Sequence, residues 1–155
     1  MTKHLSAQGT LTVAMPVGQC QMLFTPAGEE LWIDEWRPAY HHPADGRTQA
    51  GMVFSTGTGD DHTLWSLVDF ERGPRHYARY ARVTPALRSG FVEIRCEALT
   101  PQSTRVVVRY EMTALTPAGE ASLQAYEPEP FAAMLKQWQR MIEARLPTLA
   151  VADIR

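Results

Sequence analysis

Residues 131–146 read FAAMLKQWQRMIEARL, and the apolar residues of this stretch recur at the spacing of one face of an α-helix. That face carries Phe131, Met134, Leu135, Trp138, Met141, Ile142 and Leu146. Lys136, Arg140 and Glu143 lie off it. Pro130 suits the first turn of a helix, and Pro147 cannot continue one. The sequence therefore predicts one long amphipathic helix near the C-terminus, packed against another element.

The residues before this helix alternate between apolar and polar, which is typical of strands with one buried face. In residues 104–114 one face carries Thr104, Val106, Val108, Tyr110 and Met112. Residues 90–99 alternate in the same way, with Val92, Ile94 and Cys96 on one side. Further β-like runs cover about 8–15, 51–57, 62–71 and 75–83, although both faces of 62–71 are apolar. These runs predict an antiparallel sheet.

The pentapeptide Thr-Pro-Ala-Gly-Glu occurs twice, at 25–29 and at 116–120. A threonine can cap a helix and proline is preorganised for the first turn, so each copy predicts the start of a short helix. Short helices are expected at 17–24, 26–33 and 117–126, and a loop at 36–50. Strands that cluster together and helices segregated from them indicate the α+β class.

The chain has 155 residues, of which 45% are hydrophobic, and we expect a single domain over 1–155. The formal net charge of −2 gives no global attraction to nucleic acid. No apolar run is long enough for membrane insertion, and no secretory signal is evident. With only Cys20 and Cys96, which form no CxxC motif, the sequence predicts buried reduced thiols and a cytoplasmic protein.

Charge is unevenly distributed, because residues 72–109 carry eight arginines against Glu93 and Glu97. These arginines could form an anion-binding face. Alternatively they stand on the solvated side of strands and pair with the acidic N-terminal part of the chain.

The order of elements and several residues together resemble the SRPBCC superfamily, which comprises the START-like and polyketide-cyclase-like proteins. The resembling segments are Pro16 before the first short helix, Glu30-Leu31-Trp32 with Trp36, GMVFST at 51–56, Thr63-Leu64-Trp65, YEMTAL at 110–115, and the final helix with Trp138. The resemblance implies a helix-grip fold, in which a curved antiparallel sheet wraps around the C-terminal helix and encloses a cavity. Its members bind lipids, sterols, polyketides or other hydrophobic molecules, and some catalyse cyclisation or aromatisation.

Several large side chains are candidates for lining such a cavity, because aromatic faces with a few polar groups are typical of small-molecule pockets. The candidate ligand-binding residues are Trp36, Phe54, Trp65, Tyr77, Arg79, Tyr110, Met134 and Trp138. Plain core packing is the alternative for the aromatic residues. Arg79, if it points inward, would bind a carboxylate or an enolate with Tyr77 beside it; otherwise it is a solvated strand arginine.

The histidines give no recognisable catalytic arrangement. His41 and His42 with Asp45 suggest a metal site, but adjacent histidines do not easily converge on one ion, so we expect no metal and a loop at the cavity mouth. His62 and His76 could act as general bases if they face a cavity. Nucleotide, hydrolase and metalloprotease motifs are absent, so catalytic residues stay unknown and no cofactor is expected.

The sequence thus favours the binding of a small hydrophobic molecule, lipid-like or polyketide-like, between the sheet and the C-terminal helix. The alternative is an enzyme of the polyketide cyclase or dehydratase kind acting in the same cavity. A third hypothesis is a protein-interaction module with a filled core that uses its arginine-rich strand faces. The expected partner is a small hydrophobic ligand, without nucleic acid or membrane insertion, and a homodimer stays open.

Overall fold

The computed structural model describes residues 3–149 and 154. Seven antiparallel strands form one sheet in the order β1-β7-β6-β5-β4-β3-β2. The strands are β1 (His4–Val13), β2 (Ala39–His42), β3 (Val53–Thr56), β4 (Thr63–Glu71), β5 (Tyr77–Thr84), β6 (Arg88–Thr100) and β7 (Ser103–Ala114). The first two strands of the chain therefore form opposite edges of the sheet.

The helices are segregated from the strands, as the α+β class predicts. They are α1 (Val17–Met22), α2 (Pro26–Glu29), α3 (Pro117–Ser122) and α4 (Pro128–Arg145). Short 3-10 turns at Gly59–Asp61, Leu123–Tyr126 and Leu146–Thr148 complete them. The curved sheet with α4 against one face is the helix-grip architecture that the resemblance implied.

The side of the sheet that faces α4 is built from the apolar positions that alternate along the strands. In β7, Thr104, Val106, Val108, Tyr110 and Met112 are all buried, and in β6 so are Val92, Ile94 and Cys96. Strand β4 was ambiguous in sequence, and the structure resolves it. Trp65 and Leu67 are buried on the inner face, whereas Leu64 and Val68 are 42% and 49% exposed on the outer one.

The predicted stripe of the C-terminal helix packs into this curved face. Phe131, Leu135 and Ile142 are fully buried, and Met134, Trp138, Met141 and Leu146 pack partly buried against the same core. Burying a side chain of this kind contributes about 1.5–3 kcal/mol relative to exposure, so α4 is held mainly by its apolar stripe. Cys20 and Cys96 lie buried in this core, as expected.

Some boundaries differ from the sequence expectation, and β1, expected at about 8–15, covers His4–Val13. Residues 36–50 contain the edge strand β2, which pairs with β3 around Tyr40 and Phe54. Only four residues of β2 form the strand, and two of them are histidines, so its periodicity was too short to detect. The helix expected at 26–33 ends at Glu29. Both copies of the pentapeptide do begin a helix, since Thr25 and Thr116 each accept a hydrogen bond from the glycine three residues later, at 3.0 Å.

The outer face of the sheet carries a network of ion pairs. Arg79 and Arg109 approach Glu93 at 3.6 and 3.3 Å, and Arg95 and Arg105 approach Glu97 at 3.3 and 3.8 Å. These four arginines pair with carboxylates of β6, whereas Arg75 pairs with Asp69 and Glu71 of the acidic N-terminal part, as one interpretation held. In the described part of the chain, no helix is long and apolar enough to cross a membrane.

Candidate functional site

A cavity of about 340 Å³ lies between the inner face of the sheet, α2 and α4. Its volume is near the lower end of the range for small-molecule sites. Strands β3 to β7 supply most of its wall, and the helical segments close it. The lining residues are Phe24, Pro26, Glu29, Ile33, Trp36, Phe54, Thr56, Asp61, Thr63, Trp65, Tyr80, Arg82, Arg88, Val92, Ile94, Tyr110 and Trp138.

Aromatic rings form one continuous side of the cavity. Phe54 on β3 stacks on Trp65 of β4, with ring centroids 5.5 Å apart and an interplanar angle of 7°. Trp36 meets both rings edge-on, at 6.2 and 6.0 Å, and Tyr80 of β5 meets Trp65 edge-on at 6.1 Å. The rings are held by polar anchors, because the Trp36 indole donates to the carbonyl of Pro26 at 2.9 Å and that of Trp65 to Thr56 Oγ1 at 3.0 Å.

The other sides of the cavity also carry aromatic rings. Trp138 of α4 packs against Phe24 and Trp32, with centroids 6.3 and 5.8 Å away. Tyr110 of β7 contacts Phe131 at 5.2 Å. The long helix thus contributes both to the core and to the cavity wall.

Glu29, the last residue of α2, is the acidic group of greatest chemical interest in this cavity. Thr25 caps the helix, and the Glu29 amide donates to the Thr25 carbonyl at 2.8 Å, which fixes the turn that presents the carboxyl group. Burial raises the pKa of Glu29 to about 8, and the positive charge of Arg82 offsets only part of that shift. The group therefore carries a proton at neutral pH and can exchange it near pH 8.

Two arginines share the cavity with Glu29. Arg82 lies directly opposite Trp65 on the neighbouring strand, and its guanidinium carbon is 4.5 Å from the centre of the Trp65 ring. Burial lowers the pKa of Arg82. Arg88 of β6 donates to Ser122 Oγ at 3.0 Å and lies 5.4 Å from the Tyr126 ring centre.

The cavity tyrosines stay protonated at neutral pH. Burial raises the pKa of Tyr80 and of Tyr110 well above the usual tyrosine value. Tyr80 donates its hydroxyl proton to the carbonyl of Phe24 at 2.9 Å. These groups can offer weak polar contacts but no negative charge to a ligand.

The structure brings together five of the eight residues that the sequence proposed for ligand contact. Trp36, Phe54, Trp65, Tyr110 and Trp138 all line the cavity. Met134 is partly buried against the core and does not line it. Whether the five bind a ligand stays a proposal.

Tyr77 and Arg79 are on the opposite side of the sheet, so placing them at the cavity is a correction to the sequence expectation. Their neighbours Ala78 and Tyr80 are buried on the inner face, and alternation along β5 therefore turns Tyr77 and Arg79 outward. The Tyr77 hydroxyl donates to Glu93 at 3.0 Å. Arg79 pairs with Glu93 and covers the Phe91 ring at 4.2 Å.

The histidines also lie away from the cavity lining. His41 is on the edge strand β2, where its Nε2 is 2.9 Å from Ser55 Oγ. His62 is exposed, and His76 Nδ1 contacts Gln21 Oε1 at 3.2 Å. Within residues 3–149 and 154, no group of three or more His, Cys, Asp or Glu side chains is arranged to hold a metal ion.

The charged residues that line the cavity, Glu29, Asp61, Arg82 and Arg88, were not among the candidate ligand-binding residues. The alternation of the strands contained a signal for the arginines. Arg82 lies two residues after buried Tyr80 and therefore on the same face of β5, and Arg88 lies four residues before buried Val92 on the same face of β6. Glu29 had no such signal, because the identical pentapeptide at 116–120 leaves Glu120 exposed.

No family model and no curated protein sequence matches the chain, but solved structures match it in fold. Norcoclaurine synthase from Thalictrum flavum, in complex with dopamine and hydroxybenzaldehyde, gives a TM-score of 0.63 at 10% identity over 92% of this chain and 88% of that one. The ZhuI aromatase/cyclase from Streptomyces sp. R1128 gives 0.54 at 19% identity over 99% and 90%. Ara h 8.0201 gives 0.63 at 10% identity over 95% and 100%. At these identities the likeness establishes the helix-grip fold that the sequence resemblance implied.

Proposed function

We propose that this helix-grip protein binds a small, mainly hydrophobic molecule in the cavity between its sheet and its C-terminal helix. The observation that supports this most directly is the aromatic wall formed by Trp36, Phe54 and Trp65 around a cavity of about 340 Å³. A filled core would bring such rings into contact with other side chains, whereas here they border space that a ligand can occupy.

Aromatic walls favour planar or lipid-like ligands, because stacked and edge-on ring contacts add to the free energy of burying apolar surface. Apolar side chains of β6, Val92 and Ile94, complete the surface that such a ligand would touch.

The first experiment is native mass spectrometry of the purified protein, followed by organic extraction of any bound molecule. We expect either a stoichiometric additional mass or, for the empty protein, one-to-one binding of the neutral fluorescent probe N-phenyl-1-naphthylamine.

Val92→Phe provides the structural control for this binding, because it places a ring into the cavity. Val83→Phe makes the same change on the outer face of β5, next to Ser89 of β6. We expect the first variant to lose the probe and the second to bind it like the wild type, while thermal unfolding shows that both are folded. Equal binding by both variants would place the probe elsewhere and refute the proposal.

A second function, an acid–base enzyme of the polyketide cyclase or dehydratase kind, is favoured by Glu29 alone. A carboxyl group with a pKa of about 8 is well matched to proton transfer near neutral pH. Near pH 8, where about half of Glu29 is ionised, its carboxylate could accept the proton that leaves the carbon next to a carbonyl group, and Arg82 beside it could stabilise the enolate that forms. Two of the structures with the same fold are named as a synthase and an aromatase/cyclase, which is compatible with this chemistry.

This second candidate is tested by the exchange of hydrogen for deuterium next to the carbonyl of 2-tetralone, followed by NMR in heavy water. An enzyme of this kind should accelerate the exchange, Glu29→Gln should abolish the acceleration, and Glu120→Gln should leave it unchanged. An exchange rate equal to that of buffer, together with measurable binding of 2-tetralone, would leave ligand binding as the function.

A further inference from the structure

We propose that Arg82 and Arg88 form a binding site for an anionic group, a carboxylate above all, on the ligand that occupies the cavity. This inference rests on the proposed function, since it assumes that the cavity binds a small molecule. It defines the ligand class more narrowly, as an apolar, mainly aromatic body that carries one carboxylate.

The arginines of the sheet divide into two groups according to the face on which they lie. Each arginine of the outer network, described above for Arg79, Arg95, Arg105 and Arg109, has a glutamate within 4 Å. The two that line the cavity have no carboxylate within that distance in the described part of the chain. The sheet thus pairs its outward arginines with carboxylates and leaves its inward arginines unpaired.

The contacts that Arg82 and Arg88 do make leave hydrogen-bond donors free. Arg82 lies over the face of the Trp65 ring, and a stacked guanidinium keeps its N–H groups in the plane at its edge. Arg88 uses Nη1 for Ser122 and lies beside the Tyr126 ring. The Nε atoms of both arginines are buried without a hydrogen-bond partner among residues 3–149 and 154. The Nε atom of Arg79 is buried in the same way, but the charge of Arg79 is balanced by Glu93.

The pairing of β5 with β6 brings the two arginines near each other. Arg82 is opposite Gly90, and Arg88 precedes Gly90 by two residues on the same face. Diagonal neighbours of this kind are about 7–8 Å apart and within reach of long side chains. Together with burial, the positive charge of Arg88 contributes to lowering the pKa of Arg82, so the two cations repel each other, and an anion bound between them would offset that repulsion.

Glu29 does not supply the missing negative charge at neutral pH. Its raised pKa, about 8, keeps it mostly protonated there, so Glu29 competes little with an incoming carboxylate at Arg82. The charged and titratable groups that face Glu29 or share its cavity are Arg82, Arg88, Tyr40, Asp61, Tyr80 and Tyr110. Above pH 8 an ionised Glu29 would compete for Arg82, so carboxylate affinity should fall there.

The experiment compares two probes of the same shape, 2-naphthoate and its neutral amide 2-naphthamide, by isothermal titration calorimetry. The variants are Arg82→Met and Arg88→Met, with Arg79→Met as the matched control on the outer face of β5. We expect the wild type to bind naphthoate at least tenfold more tightly than naphthamide at pH 7. Each inward variant should lower the affinity for naphthoate about 10- to 100-fold, because it removes charge-assisted hydrogen bonds. The affinity for naphthamide should fall about threefold at most.

The control should bind both probes like the wild type, and the preference for naphthoate should decline at pH 9 in the wild type but not in Glu29→Gln. If both probes bind the wild type equally, or if Arg88→Met and Arg82→Met match Arg79→Met, the anion site is refuted while the ligand cavity stands. If neither probe binds and the purified protein carries no additional mass, the proposed function itself fails. Two inward variants are used so that one failure to fold still leaves a decisive measurement.

Discussion

Replacing Glu29 by glutamine should change how the stability of the protein depends on pH. In the folded state the carboxyl group holds its proton up to about pH 8, whereas its ordinary pKa is 4.5. Between these values the folded state binds one proton more than the unfolded state, so the free energy of unfolding falls as pH rises. The stability that the protonated Glu29 contributes to the folded state is fully present below pH 4.5 and is lost as pH rises to about 8.

The size of this effect follows from the pKa difference. Each unit corresponds to about 1.4 kcal/mol, so an interval of about 3.5 units gives at most about 5 kcal/mol. Glu29 lines the cavity and keeps part of its surface accessible, and water there screens part of the penalty. We therefore expect Glu29→Gln to match the wild type near pH 5 and to be about 2–4 kcal/mol more stable at pH 8.

The assay is urea unfolding followed by tryptophan fluorescence at each pH unit from 5 to 9. Glu120→Gln is the matched control, because Glu120 ends the same pentapeptide but is exposed. Its stability profile should parallel that of the wild type. If the profile of Glu29→Gln also runs parallel to the wild type between pH 5 and 8, Glu29 is already ionised in the folded protein and our account of the cavity charge is wrong.

Three further changes test the packing and the charge network. Gly28→Ala should lower the free energy of unfolding by more than about 2 kcal/mol, because a Cβ there would lie 1.8 Å from the carbonyl oxygen of Met22. Gly18→Ala is the control, since a Cβ at Gly18 would have no atom within 4 Å. This variant should be as stable as the wild type or more stable by up to about 1 kcal/mol. Ile142→Ala should cost about 3 kcal/mol in thermal or urea unfolding, since its side chain is fully buried, and a cost below about 1 kcal/mol would contradict the packing of α4. Glu93→Gln should lower the free energy of unfolding by about 1 kcal/mol in low salt and by less at 1 M salt, because the Glu93 carboxylate contacts a tyrosine and two arginines on a partly exposed face. A loss of stability that does not depend on salt would argue against an electrostatic role.

The sequence predicted those helices and strands whose apolar pattern repeats over enough residues to be recognised. The final helix and strands β6 and β7 show this best, since residues such as Val92, Val106 and Ile142 are buried where the pattern requires. The edge strand β2 escaped detection because four residues give too little alternation.

The candidate site was predictable in its aromatic part and less so in its polar part. Large aromatic side chains are seldom fully exposed to solvent, so the sequence could propose cavity-lining roles for Trp36, Phe54 and Trp65. The sequence left the face of Arg79 open, and in the structure Arg79 lies on the outer face because it alternates with buried Tyr80 along β5. The environment of Glu29 depends on β5 and β7, which are distant in sequence, so local pattern could not distinguish it from Glu120.

The position of β1 at the edge of the sheet has a consequence for how the chain folds during synthesis. Strand β1 pairs with β7, and His4 hydrogen-bonds to Thr113, 109 residues further along the chain. At about 5–20 residues per second, a ribosome needs about 5–20 s to make the missing partner. Throughout that interval the first strand has no neighbour in the sheet, so the nascent chain carries an open edge until β7 emerges, and the α4 helix that closes the cavity is made later still.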